Sequence, residues 1–227
     1  MQITVIAGGS TQPALDIVAP AFHQETGNAV TMIYNVGRRA LARMDAGEVF
    51  DVIVEPEDVL ERHFRPAGRV EEGGLRVGRM GLGVMIRADA PIPDISNVAA
   101  LKRAVIDAES ILFTTENSGR HIEAMLRTVG IYEQVQAKIT RCGHGPELMD
   151  RVLRGEGREF AFLGTNAIRT YREKGIVSVG PLPEEVQHYL EFMAVPTTIS
   201  PHKEVAWEFA RFCAGPARPI LAANGLV

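Results

Sequence analysis

The chain has 227 residues, of which 46% are apolar and 23% are charged. These values are typical of a globular protein, and the length permits one large domain or two smaller ones. The net charge of −4 argues against a nucleic-acid partner, because binding the phosphate backbone requires a basic face. No run of 18 apolar residues occurs, so we expect no membrane-embedded segment.

The sequence contains no pattern typical of a metal or redox site. Cys142 and Cys213 lie far apart and form no CxxC pair, and either a disulfide or two free thiols fits them. No two histidines have the spacing of metal ligands, so we expect neither a metal nor a cofactor. Met1 leads directly into an apolar segment with no export signal before it. This predicts a periplasmic protein if a signal peptide has been removed, and a cytoplasmic one otherwise.

Strands and helices alternate from the N-terminus onwards. Gly27 is expected to end the first helix and Ser96 to cap a later one. The acidic segment Glu55-Pro56-Glu57 is expected to form a turn. Strands are predicted at Ile3–Ala7, Val30–Tyr34, Val52–Val54, Gly81–Ile86, Ile111–Thr114, Ile139–Arg141, Phe160–Leu163 and Tyr189–Val195. This order predicts an α/β fold of mainly parallel sheets with helices on both faces.

Five predicted loops follow strands and precede helices, which is where sheets of this kind bind ligands. All five are rich in Gly, Ser, Thr or Asn, and each would precede a helix N-terminus with unpaired N–H groups. Such loops suit a small anion. They are residues 8–12, 35–39, 115–121, 142–146 and 164–166.

Several residues in these loops are candidate ligand contacts. The guanidinium of Arg38 or Arg39 could form two parallel hydrogen bonds with a carboxylate, or both side chains could lie in solvent at the start of a helix. His144 or His121 could hydrogen-bond a ligand or move a proton, and Glu116 could act as an acid or base or be an ordinary solvated carboxylate. The expected ligand-binding residues are Ser10, Thr11, Arg38, Arg39, Ser118, Gly119, His144 and Thr165.

The N-terminal motifs resemble a known family. Ile6-Ala7-Gly8-Gly9-Ser10, then Ala19-Pro20-Ala21-Phe22 and Glu25-Thr26-Gly27, are similar to the opening of the molybdate-type substrate-binding proteins of ABC importers. Similar motifs continue through Val152–Glu156 to Trp207–Phe212 near the C-terminus. The resemblance implies the two-lobed type II periplasmic-binding fold, with lobe I at 1–86 and 192–227, lobe II at 87–191, and a small anion in the cleft between them. It also implies a monomer that works with an ABC permease.

The second loop departs from the family pattern. The resemblance implies a ligand-binding serine in the first loop, where Ser10 stands, and another serine in the second, where this chain has Val36-Gly37-Arg38-Arg39. Because an arginine fork suits a planar carboxylate, this departure favours a small organic acid over molybdate.

An enzyme is also similar to this fold group. Aconitate isomerase looks like a member that acquired catalysis, which implies an alternative function as an organic-acid isomerase using the same cleft. Such a reaction needs a residue that takes a proton from one carbon and returns it at another. The candidates are His144, His121 and Glu116.

Overall fold

The computed structural model describes residues 1–35, 37–155, 157–171 and 174–227, without the side chain of Thr170. Val36 of the second predicted loop and Glu156 of the family motif lie outside the described residues. In chain order the strands and helices are β1 (Gln2–Ala7), α1 (Gln12–Thr26), β2 (Ala29–Tyr34), α2 (Gly37–Asp45), β3 (Val52–Pro56), α3 (Glu57–Val59), β4 (Leu75–Arg87), α4 (Val98–Asp107), β5 (Ser110–Thr114), α5 (Asn117–Thr128), α6 (Tyr132–Val135), β6 (Ile139–Cys142), α7 (Gly145–Arg154), β7 (Glu159–Gly164), α8 (Thr165–Thr170), β8 (Ile176–Pro181), β9 (Tyr189–Pro196), α9 (Lys203–Ala214) and α10 (Arg218–Ala223).

The chain divides into two compact units. Unit 1 comprises Met1–Met80 and Leu190–Val227, and unit 2 comprises Gly81–Tyr189. The chain leaves unit 1 within β4 and returns to it at the start of β9. The expected functional lobes, 1–86 with 192–227 and 87–191, remain a prediction.

Unit 1 is built on a parallel sheet that one antiparallel strand extends. β1 pairs in parallel with β2 and with β3, and β3 pairs antiparallel with β9. Phe22 of α1 packs edge-on against Phe209 and Phe212 of α9, at centroid distances of 5.2 and 5.4 Å. This aromatic contact joins the N-terminal and C-terminal parts of the chain in a single core.

Unit 2 has three parallel strands flanked by antiparallel ones. β5 pairs in parallel with β6 and β7, while β4 pairs antiparallel with β7 and β8. Leu112, Ala161 and Leu148 are among the buried residues that form its core. Cys142 and Cys213 are free and buried, one in each unit, and burial raises the pKa of both thiols.

Three local predictions were wrong. The cap of α4 is Asn97 rather than Ser96, and its Oδ1 accepts the N–H of Ala100 at 2.9 Å. The segment expected to be an acidic turn is split, because Glu55 and Pro56 continue β3 and Glu57 begins α3. Strand β8 falls in a segment where no strand was predicted. Short polar or proline-containing segments carry weak periodicity, and pairing with a distant strand decides their conformation.

Candidate functional site

In unit 1, the segments that follow β1, β2 and β3 lie together, and we call them the unit 1 edge. Ala7 is level with Tyr34 and with Val54 in the parallel register. The N–H of Gly8 donates to the carbonyl of Val54 at 3.2 Å, and the N–H of Asn35 donates to that of Ala7 at 3.0 Å. The predicted first and second loops therefore begin side by side, as strand order requires.

The two hydroxyls of the first loop have different environments. Residues Gly9–Thr11 form a 3-10 turn ahead of α1, and Thr11 is fully buried. Its hydroxyl donates to the carbonyl of Gly8 at 2.7 Å, so that proton serves the turn itself. Ser10 is partly exposed, and its hydroxyl has no hydrogen bond within the described part of the chain. Ser10 is therefore the better placed of the two to donate to a solute.

The two arginines lie in the first turn of α2, which begins at Gly37. Both side chains are exposed, and neither has an ion pair within the residues that the structure describes. Positive charge at a helix N-terminus opposes the helix dipole, so these arginines do not stabilise the helix. That one of them forms paired hydrogen bonds with a carboxylate remains a prediction.

A buried carboxylate, Glu55, also lies at the unit 1 edge and is absent from the expected site residues. Its side chain is part of a residue only 4% exposed, and its Oε1 accepts the backbone N–H of Gly37 at 3.1 Å. A β-carbon placed on Gly8 would lie 3.3 Å from Oε2. Glu55 thus lies between the first loop and the N-terminus of α2. Its apolar predecessors in β3 are the only signal in the sequence that it is buried.

In unit 2, the segments that follow β5, β6 and β7 form the corresponding unit 2 edge. Thr114 is level with Cys142, and the N–H of Thr115 donates to the carbonyl of Cys142 at 2.8 Å. Leu112 is level with Ala161 on the other side of β5. The N-termini of α5, α7 and α8 follow these three strand ends directly.

The start of α5 packs closely on the strand before it. Gly119 is buried, and a β-carbon there would lie 1.6 Å from the carbonyl oxygen of Thr114, so no larger residue fits without movement. The hydroxyls of Thr114 and Ser118 lie 3.3 Å apart. Glu116 occupies the N-cap position of α5, but its side chain makes no capping hydrogen bond. Gly119 therefore has a packing role, whereas Ser118 offers a hydroxyl at the edge.

His144 is the N-cap of α7. Its Nδ1 accepts the N–H of Glu147 at 3.1 Å, and Glu147 Oε2 in turn accepts the N–H of Gly143 at 2.7 Å. The Gly143 N–H, with Arg151 as a smaller contribution, holds the pKa of Glu147 below its ordinary value. Because Nδ1 is an acceptor, the neutral ring carries its proton on Nε2 and presents a donor. This geometry suits hydrogen bonding to an anion better than proton abstraction.

The remaining histidine candidate lies on the next turn of α5. His121 stacks on His188, with ring centroids 3.4 Å apart and planes inclined by 18°. Stacking on a second imidazole fixes the orientation of the His121 ring. The structure therefore shows a packed pair where the sequence indicated a single loop histidine.

The first turn of α8 carries Thr165 and a residue not expected at the site, Asn166. Thr165 is partly buried, and its Cγ2 lies near Gly83 of β4. Asn166 is 3% exposed, and neither Nδ2 nor Oδ1 has a hydrogen-bond partner among the described residues. Its position inside the predicted loop 164–166 is the only sequence signal.

Comparison with known proteins identifies related folds. The family model for bacterial extracellular solute-binding protein matches residues 3–227. The periplasmic molybdate-binding protein of Azotobacter vinelandii has a TM-score of 0.77 at 18% identity, covering 99% of this chain and 98% of that one. The sulfate-binding protein SubI of Mycobacterium tuberculosis has a TM-score of 0.78 at 19% identity, covering 99% and 86%. These similarities confirm the expected mixed α/β fold of the type II periplasmic-binding class.

A similar enzyme was also found. Aconitate isomerase from a Pseudomonas species is 23% identical over 218 residues, which cover 93% of this chain and 82% of that protein.

Within the described residues, no helix is long and apolar enough to cross a membrane. The match to the family model spans almost the whole sequence and agrees with the resemblance of the N-terminal motifs. The chain belongs to the bacterial extracellular solute-binding proteins.

Proposed function

We propose that the chain binds a small anion outside the cytoplasm and delivers it to an ABC permease. The observation that carries this proposal is the grouping of helix N-termini at the strand ends of each unit, since such N-termini attract negative charge. Similar folds in proteins named for molybdate and sulfate binding support the anionic class of solute. We expect a monomer that needs no metal or cofactor.

The proposed contacts include partly exposed donors at each edge. Ser10 has a hydroxyl without a partner among the described residues, and His144 presents its Nε2–H. Arg38 adds a guanidinium that matches the two oxygens of a carboxylate. A small carboxylate therefore fits this set better than a metal oxyanion. The proposed set also includes Arg39, Ser118 and Thr165 as contacts, while Thr11 and Gly119 hold the loops that carry Ser10 and Ser118.

A thermal-shift panel tests this function. The purified chain would be heated with molybdate, tungstate, sulfate, phosphate, citrate and both aconitates, with chloride at matched ionic strength as the control. A solute present at a thousand times its dissociation constant stabilises the folded state by about 4 kcal/mol. For a chain of this length that corresponds to a rise in Tm of roughly 8–16 °C. The absence of a shift with every one of these anions would contradict the proposal.

The second candidate function is isomerisation of a small organic acid, which the similarity to aconitate isomerase favours. In this reaction one C–H bond breaks, the double bond moves along the allylic system, and a new C–H bond forms at its far end. Glu116 and His121 would take and return the proton, and His144 would hold a carboxylate through Nε2–H.

Proton NMR of cis-aconitate with the protein would detect this conversion. We expect turnover to fall at least about a hundredfold in the variant that loses the proton-transferring residue, Glu116→Gln or His121→Ala. An absence of turnover in the unaltered chain, or full turnover in both variants, would exclude this mechanism.

A further inference from the structure

Asn166 is a buried amide whose hydrogen-bonding groups find no partner in the part of the chain that the structure describes. The residue is 3% exposed, and its amide nitrogen and oxygen both lack a partner within the described chain. Burying an amide without hydrogen bonds destabilises the folded state. Native proteins therefore rarely contain such a group unless it has a function. Asn166 lies two residues beyond the end of β7, in the same edge as Ser118 and His144. A bound solute would supply the missing partners.

The chemistry of an amide restricts that solute. Nδ2 donates, so a negatively charged oxygen satisfies it, but Oδ1 only accepts. A bare oxyanion has no proton to offer and would leave Oδ1 unsatisfied. A solute with a hydroxyl or protonated carboxyl next to its charged oxygen satisfies both atoms of the amide.

Resting on the proposed function, we infer that the solute is an organic acid that also carries a hydrogen-bond donor, and that Asn166 selects for this donor. The substrate class is a hydroxylated or partly protonated carboxylic acid. Sulfate, molybdate and tungstate, which are unprotonated at neutral pH, fall outside it.

The binding of paired acids that differ by one hydroxyl measures how strongly the protein prefers a solute with a hydrogen-bond donor. Isothermal titration calorimetry at pH 7.5 would compare citrate with tricarballylate and malate with succinate, since each pair differs by one hydroxyl. Sulfate and molybdate serve as bare dianions, and trans-aconitate as an acid without a hydroxyl. We expect the hydroxylated member of at least one pair to bind about tenfold or more tightly than its partner, as a lost hydrogen bond to a charged group requires.

Variants connect this preference to Asn166. Asn166→Leu replaces the buried amide with an apolar side chain of similar volume. It should therefore raise the Tm of the protein without solute and reduce the preference for the hydroxylated acid to less than about threefold. Asn97→Ala is the control, because its amide already caps α4; it should lower the Tm and leave affinity unchanged. Asn166→Ala serves if the leucine variant does not fold.

The outcomes separate the two proposals. Binding of sulfate, molybdate or trans-aconitate as tightly as the hydroxylated acids would overturn the inference and leave an anion-binding function standing. A hydroxyl preference that persists in Asn166→Leu and in Asn166→Ala would overturn the assignment of Asn166. If the unaltered chain binds no anion in the panel, the proposed function fails and the inference fails with it.

Discussion

The unit 1 edge and the unit 2 edge have the same architecture but different contents. In unit 1, Glu55 occupies the N-terminus of α2 and the Thr11 hydroxyl bonds to its own turn. In unit 2, His144 caps α7 through one nitrogen and keeps the other as a donor, while the Asn166 amide has no hydrogen-bond partner among the described residues. Parallel strands followed by helices therefore create a place for an anion, but the side chains that fill each helix N-terminus decide what it can accept.

The largest expected effect tests the close packing of unit 2. Gly119→Ala should lower the free energy of unfolding by about 3 kcal/mol or more, because its β-carbon would overlap the Thr114 carbonyl. Gly9→Ala at the unit 1 edge is the matched control, since nothing lies within 4 Å of its β-carbon. Urea denaturation monitored by circular dichroism measures both. Equal effects would show that the two edges do not differ in packing.

The next effect separates the two hydroxyls of unit 1. Thr11→Val should lower the free energy of unfolding by about 1–2 kcal/mol, because the buried hydroxyl loses its bond to Gly8. Ser10→Ala should leave stability unchanged and weaken solute binding about fivefold, the value of one ordinary hydrogen bond. Denaturation and calorimetry on both variants check this division. Weaker binding in Thr11→Val alone would reverse the assignment.

A smaller effect separates capping from binding at His144. His144→Ala should lose about 1 kcal/mol of stability together with affinity, because it removes both the cap and the Nε2–H donor. His144→Asn keeps a good N-cap and should lose affinity alone. Should the asparagine variant bind as well as the unaltered chain, His144 would be a cap and no more.

The smallest effect on stability concerns the exposed arginine of unit 1. Arg38→Ser removes a cation from the start of α2 and should raise the free energy of unfolding by about 0.3–1 kcal/mol. The same change should weaken carboxylates more than oxyanions, because a guanidinium matches a carboxylate with two parallel hydrogen bonds. Equal loss for both classes in calorimetry would count against the carboxylate preference.

Much of the fold follows from local pattern. Gly27 has the left-handed conformation expected of a glycine that ends α1, with φ of 74°. The alternation of apolar strands and amphipathic helices predicted the α/β class, and five Gly- and Ser-rich segments predicted the strand ends. The order of family motifs predicted the relatives that the comparisons then identified.

The sequence by itself therefore determined the class of fold, the loops that follow its strands and the family. The tertiary structure alone decided which polar groups in those loops are used and which are left over. Thr11 and Ser10 are adjacent hydroxyls, yet only the first is buried and bonded to the turn. Glu55 and Asn166 look like surface residues in sequence, but both are buried in the folded chain. Burial and hydrogen bonding depend on contacts between residues far apart in the chain, and a local pattern carries no record of those contacts.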